Sequence, residues 1–391
     1  MELALTPEQE SLRDELRAYF AAMMTPEVDE EMSRHEMGGP LSRELAQKMG
    51  ADGWLGIGWP KEYGGQARSP IEQLIFFDEA ARAGAPVPLL TINTVGPTLM
   101  RFGTEEQKRT FLPMILRGEA HFAIGYSEPG AGTDLASLKT RAVRDGDEYV
   151  INGQKIFTSL ADLSDYVWLA VRTDPDAPKH KGISILIVPT ASEGFSLSPI
   201  RIVGGGRTNA TFYDNVRVPV SARVGDENEG WKLITTQLNH ERVALCNAGT
   251  VMRHLVDVRN FAAATTLADG TRLIDLEWVR LNLARVAAKV EFLKLMNWKV
   301  AWGLTTGAIA PTDASVTKVF GTELFIEAYK LLLEVIGPAG YLKRGTPGAV
   351  LKSRLERSYS GTLILTFGGG TNEIQRDIIA MVGLGMPRAP R

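Results

Sequence analysis

The hydrophobic pattern of this 391-residue chain changes its period twice. Up to about residue 117, apolar residues recur at the intervals typical of helices, and Thr6, followed by proline and glutamate, marks the start of the first helix. From His121 to about Val224 the pattern changes to short β-rich runs divided by turn residues, and after Gly230 long helical segments return. We predict an α+β multidomain fold with an all-helical domain at 1–117, an antiparallel β domain at 118–226 and a four-helix bundle at 227–391.

Composition narrows the classes of function. A net charge of −3 and the lack of a long basic stripe argue against nucleic-acid binding. The only cysteine, Cys246, excludes an internal disulfide, and no CxxC or HxxxH cluster offers metal ligands. No apolar run is long enough to span a bilayer, and the acidic N-terminus lacks the apolar core of a signal peptide. These features predict a cytoplasmic protein without a metal site or membrane span.

The most informative local sequence is IGYSEPGAGT, residues 124–133, which we name the polar ledge. Gly130 and Gly132 allow the backbone to come close to a ligand, while Ser127 and Thr133 offer hydroxyls and free N–H groups. Small residues and hydroxyls in an apolar neighbourhood indicate a binding surface for a flat polar cofactor. The alternative is that Ser127 and Thr133 are ordinary turn hydroxyls.

A second informative segment follows about thirty residues later. The run INGQKIFTSLADLSDYVWLAV, residues 151–171, is typical of a strand, a turn and another strand. It places Phe157 and Ser159 on a wall opposite the polar ledge. An aromatic ring beside a hydroxyl suits an isoalloxazine ring, although Phe157 is also consistent with an ordinary core phenylalanine.

The extended run SEPGAGTDLASLKTRA, together with residues 151–171, resembles the flavin-binding middle domain of the acyl-CoA dehydrogenases. The order of helices, β domain and bundle extends the resemblance along nearly the whole chain. It implies that FAD binds between the β domain and the C-terminal bundle, with Ser159 donating toward flavin N5. By the same resemblance, the residues at the flavin or its diphosphate are Ile124, Tyr126, Ser127, Gly132, Thr133, Phe157, Thr158, Ser159, Thr371, Asn372 and Glu373.

The family's reaction needs a carboxylate base beside the acyl chain. Most members carry this glutamate near the C-terminus in a YEGT motif, but here the matching run is GGGT, with Gly369 at that position. A minority of the family carries it on the first long bundle helix, immediately before an arginine. The run LNHER matches this arrangement and makes Glu241 the expected base and Arg242 the arginine after it. The alternatives are a solvated helix glutamate for Glu241 and a structural ion pair for Arg242, and the neighbouring His240 is read as a packed or surface residue.

The substrate side of the site also follows from the resemblance. Thr133, Asn239 and Arg242 match positions that meet an acyl-CoA substrate in the family. Asn239 stands where many relatives have aspartate, so its contact with the CoA arm differs in detail.

Two elements that homotetrameric relatives donate to a neighbouring subunit's FAD are degraded here. An RxxFG motif is replaced by TLADG, residues 266–270, where Asp269 would meet a diphosphate with unfavourable charge. In the second element, relatives have a glutamine followed shortly by two glycines. Here Glu334 stands in place of the glutamine, and Gly337 and Pro338 stand in place of the two glycines. This asymmetry resembles the α2β2 acyl-CoA dehydrogenases of actinobacterial sterol side-chain breakdown, in which an unlike chain supplies the missing contacts. The alternative is a divergent homotetramer.

Three hypotheses follow. The first is an FAD-dependent acyl-CoA dehydrogenase that converts a bulky or steroid side-chain acyl-CoA to the trans-2-enoyl-CoA and passes electrons to an electron-transfer flavoprotein. The second is a non-catalytic partner subunit that stabilises another chain. The third is an acyl-CoA oxidase, which shares the fold and the base but admits oxygen to the reduced flavin.

Overall fold

The computed structural model describes residues 4–34, 38–244, 246–308, 310 and 312–387, and the side chains of all of these except 34 and 238–244. Helices occupy the part of the chain that comes before the sheet. Their N-termini follow the capping rules, since Thr6, Ser69 and Thr104 each accept a hydrogen bond from a backbone N–H three residues later. The helices are α1 Pro7–Met23, α2 Pro26–Arg34, α3 Pro40–Ala51, α4 Pro70–Ala83, α5 Gly96–Phe102 and α6 Glu105–Leu116.

One twisted sheet forms the middle of the molecule. Its strands are β1 Phe122–Gly125, β2 Arg141–Asp145, β3 Glu148–Lys155, β4 Tyr166–Arg172, β5 Ile183–Pro189, β6 Phe195–Arg201, β7 Arg207–Pro219 and β8 Arg223–Val224. The spatial order is β6-β7-β3-β2-β4-β5-β8, with β1 beside β4. Most neighbours are antiparallel, as predicted, while β1 and β2 run parallel to β4. The polar ledge begins in β1, which pairs with β4, and continues beyond the carboxyl end of β1.

Helices return after the sheet. They are α7 Gly230–Ala244, α8 Ala248–Ala264, α9 Glu277–Thr306, α10 Asp313–Ile336, α11 Arg354–Thr362 and α12 Asn372–Ile378. Helices α8, α9 and α10 pack on one another, and α10 also packs on α7, which completes the predicted four-helix bundle.

The apolar pattern from Trp231 to Thr266 reads as one helical stretch, but the structure divides it into α7 and α8. The division has a local cause at Asn247, whose side-chain oxygen accepts the N–H of Gly249 at 2.7 Å and so caps a new helix.

The described apolar residues form two main cores. The first contains the N-terminal helices, one face of the sheet, and Leu233 and Ile234 of α7. The second contains the inner faces of α8, α9 and α10. The opposite face of the sheet forms a smaller cluster around Tyr149 and Val216. No helix within the described residues is long and apolar enough to cross a membrane.

Candidate active site

The polar ledge is a tight turn at the carboxyl end of β1. Glu128 and Ala131 exchange two backbone hydrogen bonds of 2.9 and 3.0 Å that close this turn. A Cβ atom built on Gly130 or Gly132 would meet no atom within 4 Å. The protein's own packing therefore does not require glycine at either position, and the space beside the backbone is open to a ligand, as the sequence predicts.

Glu128 of the polar ledge forms a buried ion pair with Lys155 of β3. Lys155 Nζ is 2.8 Å from Glu128 Oε1 and 3.1 Å from the carbonyl oxygen of Tyr126, and the lysine is fully buried. Glu128 also accepts the backbone N–H groups of Lys139 and Thr140, at 2.6 and 2.8 Å. The ion pair thus joins the ledge, the start of β2 and the end of β3.

Opposing effects set the pKa values of this pair. Burial favours neutral Glu128, but the Lys155 ammonium and the donated N–H groups outweigh it, so the pKa of Glu128 lies below its ordinary value. Burial lowers the pKa of Lys155 to about 8 despite the nearby carboxylate. Both groups therefore carry charge at pH 7, and the pair is a fixed electrostatic support for the ledge.

The predicted opposite wall adjoins the ledge directly. The N–H of Ile156 donates to the carbonyl of Ser127 at 2.8 Å. Phe157 follows with a left-handed backbone (φ +60°) and 58% of its surface exposed, so it is not the core residue that the alternative interpretation requires. The hydroxyl of Ser159 lies 3.1 Å from that of Thr208, and buried Thr158 bonds to Thr211 at 3.2 Å. The structure thus brings the ledge and the aromatic wall together.

The predicted C-terminal flavin residues start α12. The side chain of Thr371 caps this helix by accepting the N–H of Ile374 at 3.2 Å. Asn372 is buried and receives Lys318 Nζ at 2.7 Å, and the same ammonium bonds to the carbonyl of Gly370 at 2.8 Å. Glu373 is exposed in the first turn. Fully buried Lys318 therefore fixes this segment to α10, which also packs against α7.

Gly369, which the resemblance aligns with the family's usual base, has a left-handed backbone, as does Gly370. Gly369 has φ +67° and Gly370 has φ +94°. A side chain with Cβ adopts this backbone conformation with strain, which glycine avoids. The backbone at position 369 therefore suits glycine and disfavours a catalytic glutamate.

Glu241, which the resemblance makes the expected base, lies on α7. Asn239, Glu241 and Arg242 belong to this helix, but their side chains fall outside the part of the chain that the structure describes, as does that of His240. One turn before Glu241, Gln237 is fully buried and accepts a hydrogen bond from the hydroxyl of Tyr126 in the polar ledge. The ledge and this helix are therefore in direct contact.

The two segments that the resemblance aligns with donated cross-subunit elements make local contacts in this chain. The turn 266–270 is closed by the bridge between Thr266 and Arg272 and by Asp269, which accepts the N–H of Thr271 at 2.9 Å. Arg272, the nearest cation in sequence, forms a two-point ion pair with Asp275. Glu334 accepts a hydrogen bond from Asn282 at 3.2 Å. The turn thus presents no arginine to a diphosphate.

Sequence reasoning gave no role to Glu128, Lys155, Gln237 or Lys318. One signal was available for Lys155. Tyr149, Ile151 and Lys155 are buried and are separated by even numbers of residues along β3, so a period of two places the lysine on the inward face, although Gly153 between them is exposed. An inward lysine needs a buried carboxylate partner. Within the described ranges, no group of three His, Cys, Asp or Glu side chains could hold a metal ion.

Comparisons with known proteins agree with this geometry. Three family models match the chain: "Acyl-CoA dehydrogenase, N-terminal domain" over residues 6–119, the middle domain over 123–216 and the C-terminal domain over 228–384. Acyl-CoA dehydrogenase FadE26 of Mycobacterium tuberculosis is 61% identical over 400 aligned residues that cover all of both chains.

Two solved structures match the whole chain as well. A chain of the ChsE4-ChsE5 complex from Mycobacterium tuberculosis has a TM-score of 0.93 and 61% identity, and the match covers all of both chains. A chain of the Tcur3481-Tcur3483 steroid ACAD has a TM-score of 0.93 and 53% identity, again over all of both chains. Each of these structures is a complex named for two different chains.

Proposed function

This chain belongs to the acyl-CoA dehydrogenase family, and from that premise we propose that it uses FAD and Glu241 to oxidise a bulky, steroid side-chain acyl-CoA to the trans-2-enoyl-CoA. The observation that carries the proposal is the left-handed glycine at position 369. Since the usual base position holds no carboxylate, the reaction needs one from elsewhere. Glu241 on α7 is the acidic residue that matches the family's alternative position.

The residues present fit a bound flavin. The ledge leaves open space beside Gly130 and Gly132, and Phe157 displays an exposed ring close to it. The chain would hold FAD with the residues predicted from the sequence: Ile124, Tyr126, Ser127, Gly132, Thr133, Phe157, Thr158, Ser159, Thr371, Asn372 and Glu373. When bound, FAD supplies a two-electron acceptor for the hydride that leaves the acyl chain.

The chain's own residues would handle the proton and the substrate. Glu241 as carboxylate takes the proton from the carbon next to the thioester carbonyl, while a hydride leaves the following carbon and a C=C bond forms. Thr133, Asn239 and Arg242 would hold the CoA portion.

The bulky substrate and the partner are supported by the relatives and by the turn 266–270. One solved relative is named a steroid ACAD, and it and the ChsE4-ChsE5 structure are both two-chain complexes. The turn offers no cation to an FAD diphosphate at a subunit interface, so we expect an α2β2 assembly in which a second acyl-CoA dehydrogenase-like chain supplies one. An electron-transfer flavoprotein would be the acceptor. We also propose a cytoplasmic location and domain limits of 1–117, 118–226 and 227–391.

The test is reconstitution. The chain is co-expressed with an acyl-CoA dehydrogenase-like chain that carries the RxxFG motif, and the purified complex is assayed for flavin content and for oxidation of straight-chain and steroid side-chain CoA esters. We expect a yellow complex that prefers the steroid ester and reduces an electron-transfer flavoprotein without producing peroxide. A colourless complex would favour the non-catalytic subunit, and rapid peroxide formation would favour the oxidase.

A further inference from the structure

Among the described side chains, a buried hydrogen bond joins the polar ledge to the helix that carries Glu241. Tyr126 is buried, and its hydroxyl donates to Oε1 of Gln237, which is fully buried on α7. The other amide atom of Gln237, Nε2, has no hydrogen-bond partner among the described residues. A buried polar group without a partner costs about 1–3 kcal/mol, so this arrangement needs an explanation.

Tyr126 is held firmly on the ledge side. Its carbonyl accepts the Lys155 ammonium at 3.1 Å, and the carbonyl of the next residue, Ser127, accepts the N–H of Ile156 at 2.8 Å. The carbonyls of Tyr126 and Ser127 are therefore bonded to two consecutive residues of the second segment, Lys155 and Ile156. Because the backbone of Tyr126 is held in place, the position of its hydroxyl is fixed relative to the polar ledge.

Gln237 is held firmly on the helix side. Helix α7 begins at Gly230, where a Cβ would lie 2.8 Å from the carbonyl oxygen of Ile183, so the helix starts tightly against β5. Leu233 and Ile234 then pack into the first core. Positions 237 and 241 are four residues apart and share a face of the helix. A rotation of α7 that displaced Gln237 from Tyr126 would also displace position 241.

We propose that Gln237, held by Tyr126, is a positioning residue that sets the rotation of α7 for Glu241, and that its remaining amide N–H groups donate to a carbonyl oxygen of the bound ligand. This inference rests on the proposed role of Glu241. A flavin and an acyl thioester both carry carbonyl oxygens, and either would satisfy Nε2. Ligand binding would then complete the hydrogen bonds of a glutamine that is incomplete in the free protein.

The test uses the two-chain complex and the variants Tyr126→Phe, Gln237→Met and their combination. Each single variant removes one side of the contact while nearly keeping the side-chain volume. We expect each to lower kcat by about 10- to 100-fold, and the double variant to lower it little more than either single one, because both changes remove the same interaction. Tyr149→Phe is the matched control, since Tyr149 is also a buried tyrosine whose hydroxyl is hydrogen-bonded, but its partners are Glu227 and Arg223.

Two further measurements identify the acceptor. If Nε2 meets a flavin carbonyl, Gln237→Met lowers the flavin content and shifts the flavin absorption bands. If it meets the thioester carbonyl, flavin content and spectrum stay unchanged and KM for the acyl-CoA rises. Where Gln237→Met does not fold, Gln237→Glu keeps an oxygen for Tyr126 and can donate only while protonated, so we expect its activity to fall as pH rises.

Three results would overturn the inference. These are kcat values of both single variants within twofold of the Tyr149→Phe control, additive losses in the double variant, and a fall in melting temperature with kcat, KM and flavin spectrum unchanged. Glu241→Gln separates this failure from failure of the proposed function. If that variant is inactive while Tyr126→Phe and Gln237→Met are normal, the base assignment stands and the positioning role is wrong.

Discussion

Lys155 Nζ lies 2.8 Å from Glu128 Oε1 in a position that water does not reach, and the pair supports the ledge from behind. Removing one partner of a buried ion pair leaves an unpaired charge and typically costs about 3–5 kcal/mol. We expect Lys155→Met to lower the melting temperature of the complex by several degrees and to release FAD. Lys179→Met is the control, because its ion pair with Asp134 is exposed and contributes at most about 1 kcal/mol. Equal effects of the two variants would contradict the support role.

The base assignment predicts a specific loss in Glu241→Gln. Removal of a positioned base lowers turnover by about 10² to 10⁴-fold or more, whereas an uncharged glutamine of the same shape should leave fold and flavin content intact. Turnover with a steroid side-chain CoA ester is measured together with the flavin-to-protein ratio. Near-normal turnover in the variant would exclude Glu241 as the base.

The backbone at position 369 predicts that the usual base cannot simply be restored. In the double variant Glu241→Gln with Gly369→Glu, a carboxylate returns to the common family position. Because Gly369 has φ +67°, we expect the added side chain to strain the backbone by about 1–2 kcal/mol and to leave turnover at the level of Glu241→Gln alone. Gly369→Ala reports the strain without the carboxylate. Recovery of more than a few per cent of activity would show that this loop accommodates a base.

The buried side chain of His254 leads us to expect that the free energy of unfolding decreases at acid pH. It is buried on α8 with Nε2 2.9 Å from the hydroxyl of Ser358, and burial, together with Arg253, Arg354 and Arg357, lowers its pKa to about 3. The unfolded chain, with an ordinary histidine pKa near 6.5, therefore binds this proton first as the pH falls. The free energy of unfolding should drop by about 1.4 kcal/mol per pH unit below about pH 6 and level off near the folded pKa.

The pH dependence is measured by denaturation between pH 7 and 4 in the wild type and in His254→Gln. In the variant, the free energy of unfolding should fall less steeply with decreasing pH, by the contribution of one proton, about 1.4 kcal/mol per pH unit. His180→Gln is the control, since His180 is exposed. Identical slopes for the wild type and His254→Gln would show that other groups cause the acid sensitivity.

The turn at 266–270 predicts dependence on a partner chain. Since Arg272 is paired with Asp275 and Asp269 repels a diphosphate, we expect the chain expressed alone to be poorly soluble or flavin-poor, and to become yellow when co-expressed with an acyl-CoA dehydrogenase-like chain. Mutation of the partner's RxxFG arginine should empty the site while Glu241 is unchanged. A fully flavinated, active homotetramer of this chain alone would contradict the prediction.

Features that depend on local sequence were predictable. The helix start at Thr6 and the change to strands after His121 each depend on a few neighbouring residues, and the structure contains both. The weakly patterned edge strand β6, in which Pro199 interrupts an exposed run, gave no comparable signal.

The contacts that organise the site were not predictable from local pattern, because they join distant residues. Glu128 and Lys155 are 27 residues apart, and Tyr126 and Gln237 are 111 apart. Hydrophobic periodicity predicts which face of an element is buried, but it carries no information on which polar side chains meet across two elements. Such pairs become visible only when the sheet and α7 are placed together.

The first core limits which segments can be exchanged between related chains to make a chimera. Phe20 and Phe76 of the N-terminal helices, Trp168 of the sheet and Leu233 of α7 belong to one apolar cluster. A chimera that takes its helices from one relative and its sheet from another would have to match side-chain volumes across that cluster, because close-packed interiors tolerate few gaps or overlaps. Evolution is therefore expected to change the helices and the strands together, and engineered exchanges between relatives should keep residues 4–34 and 38–234 from one parent.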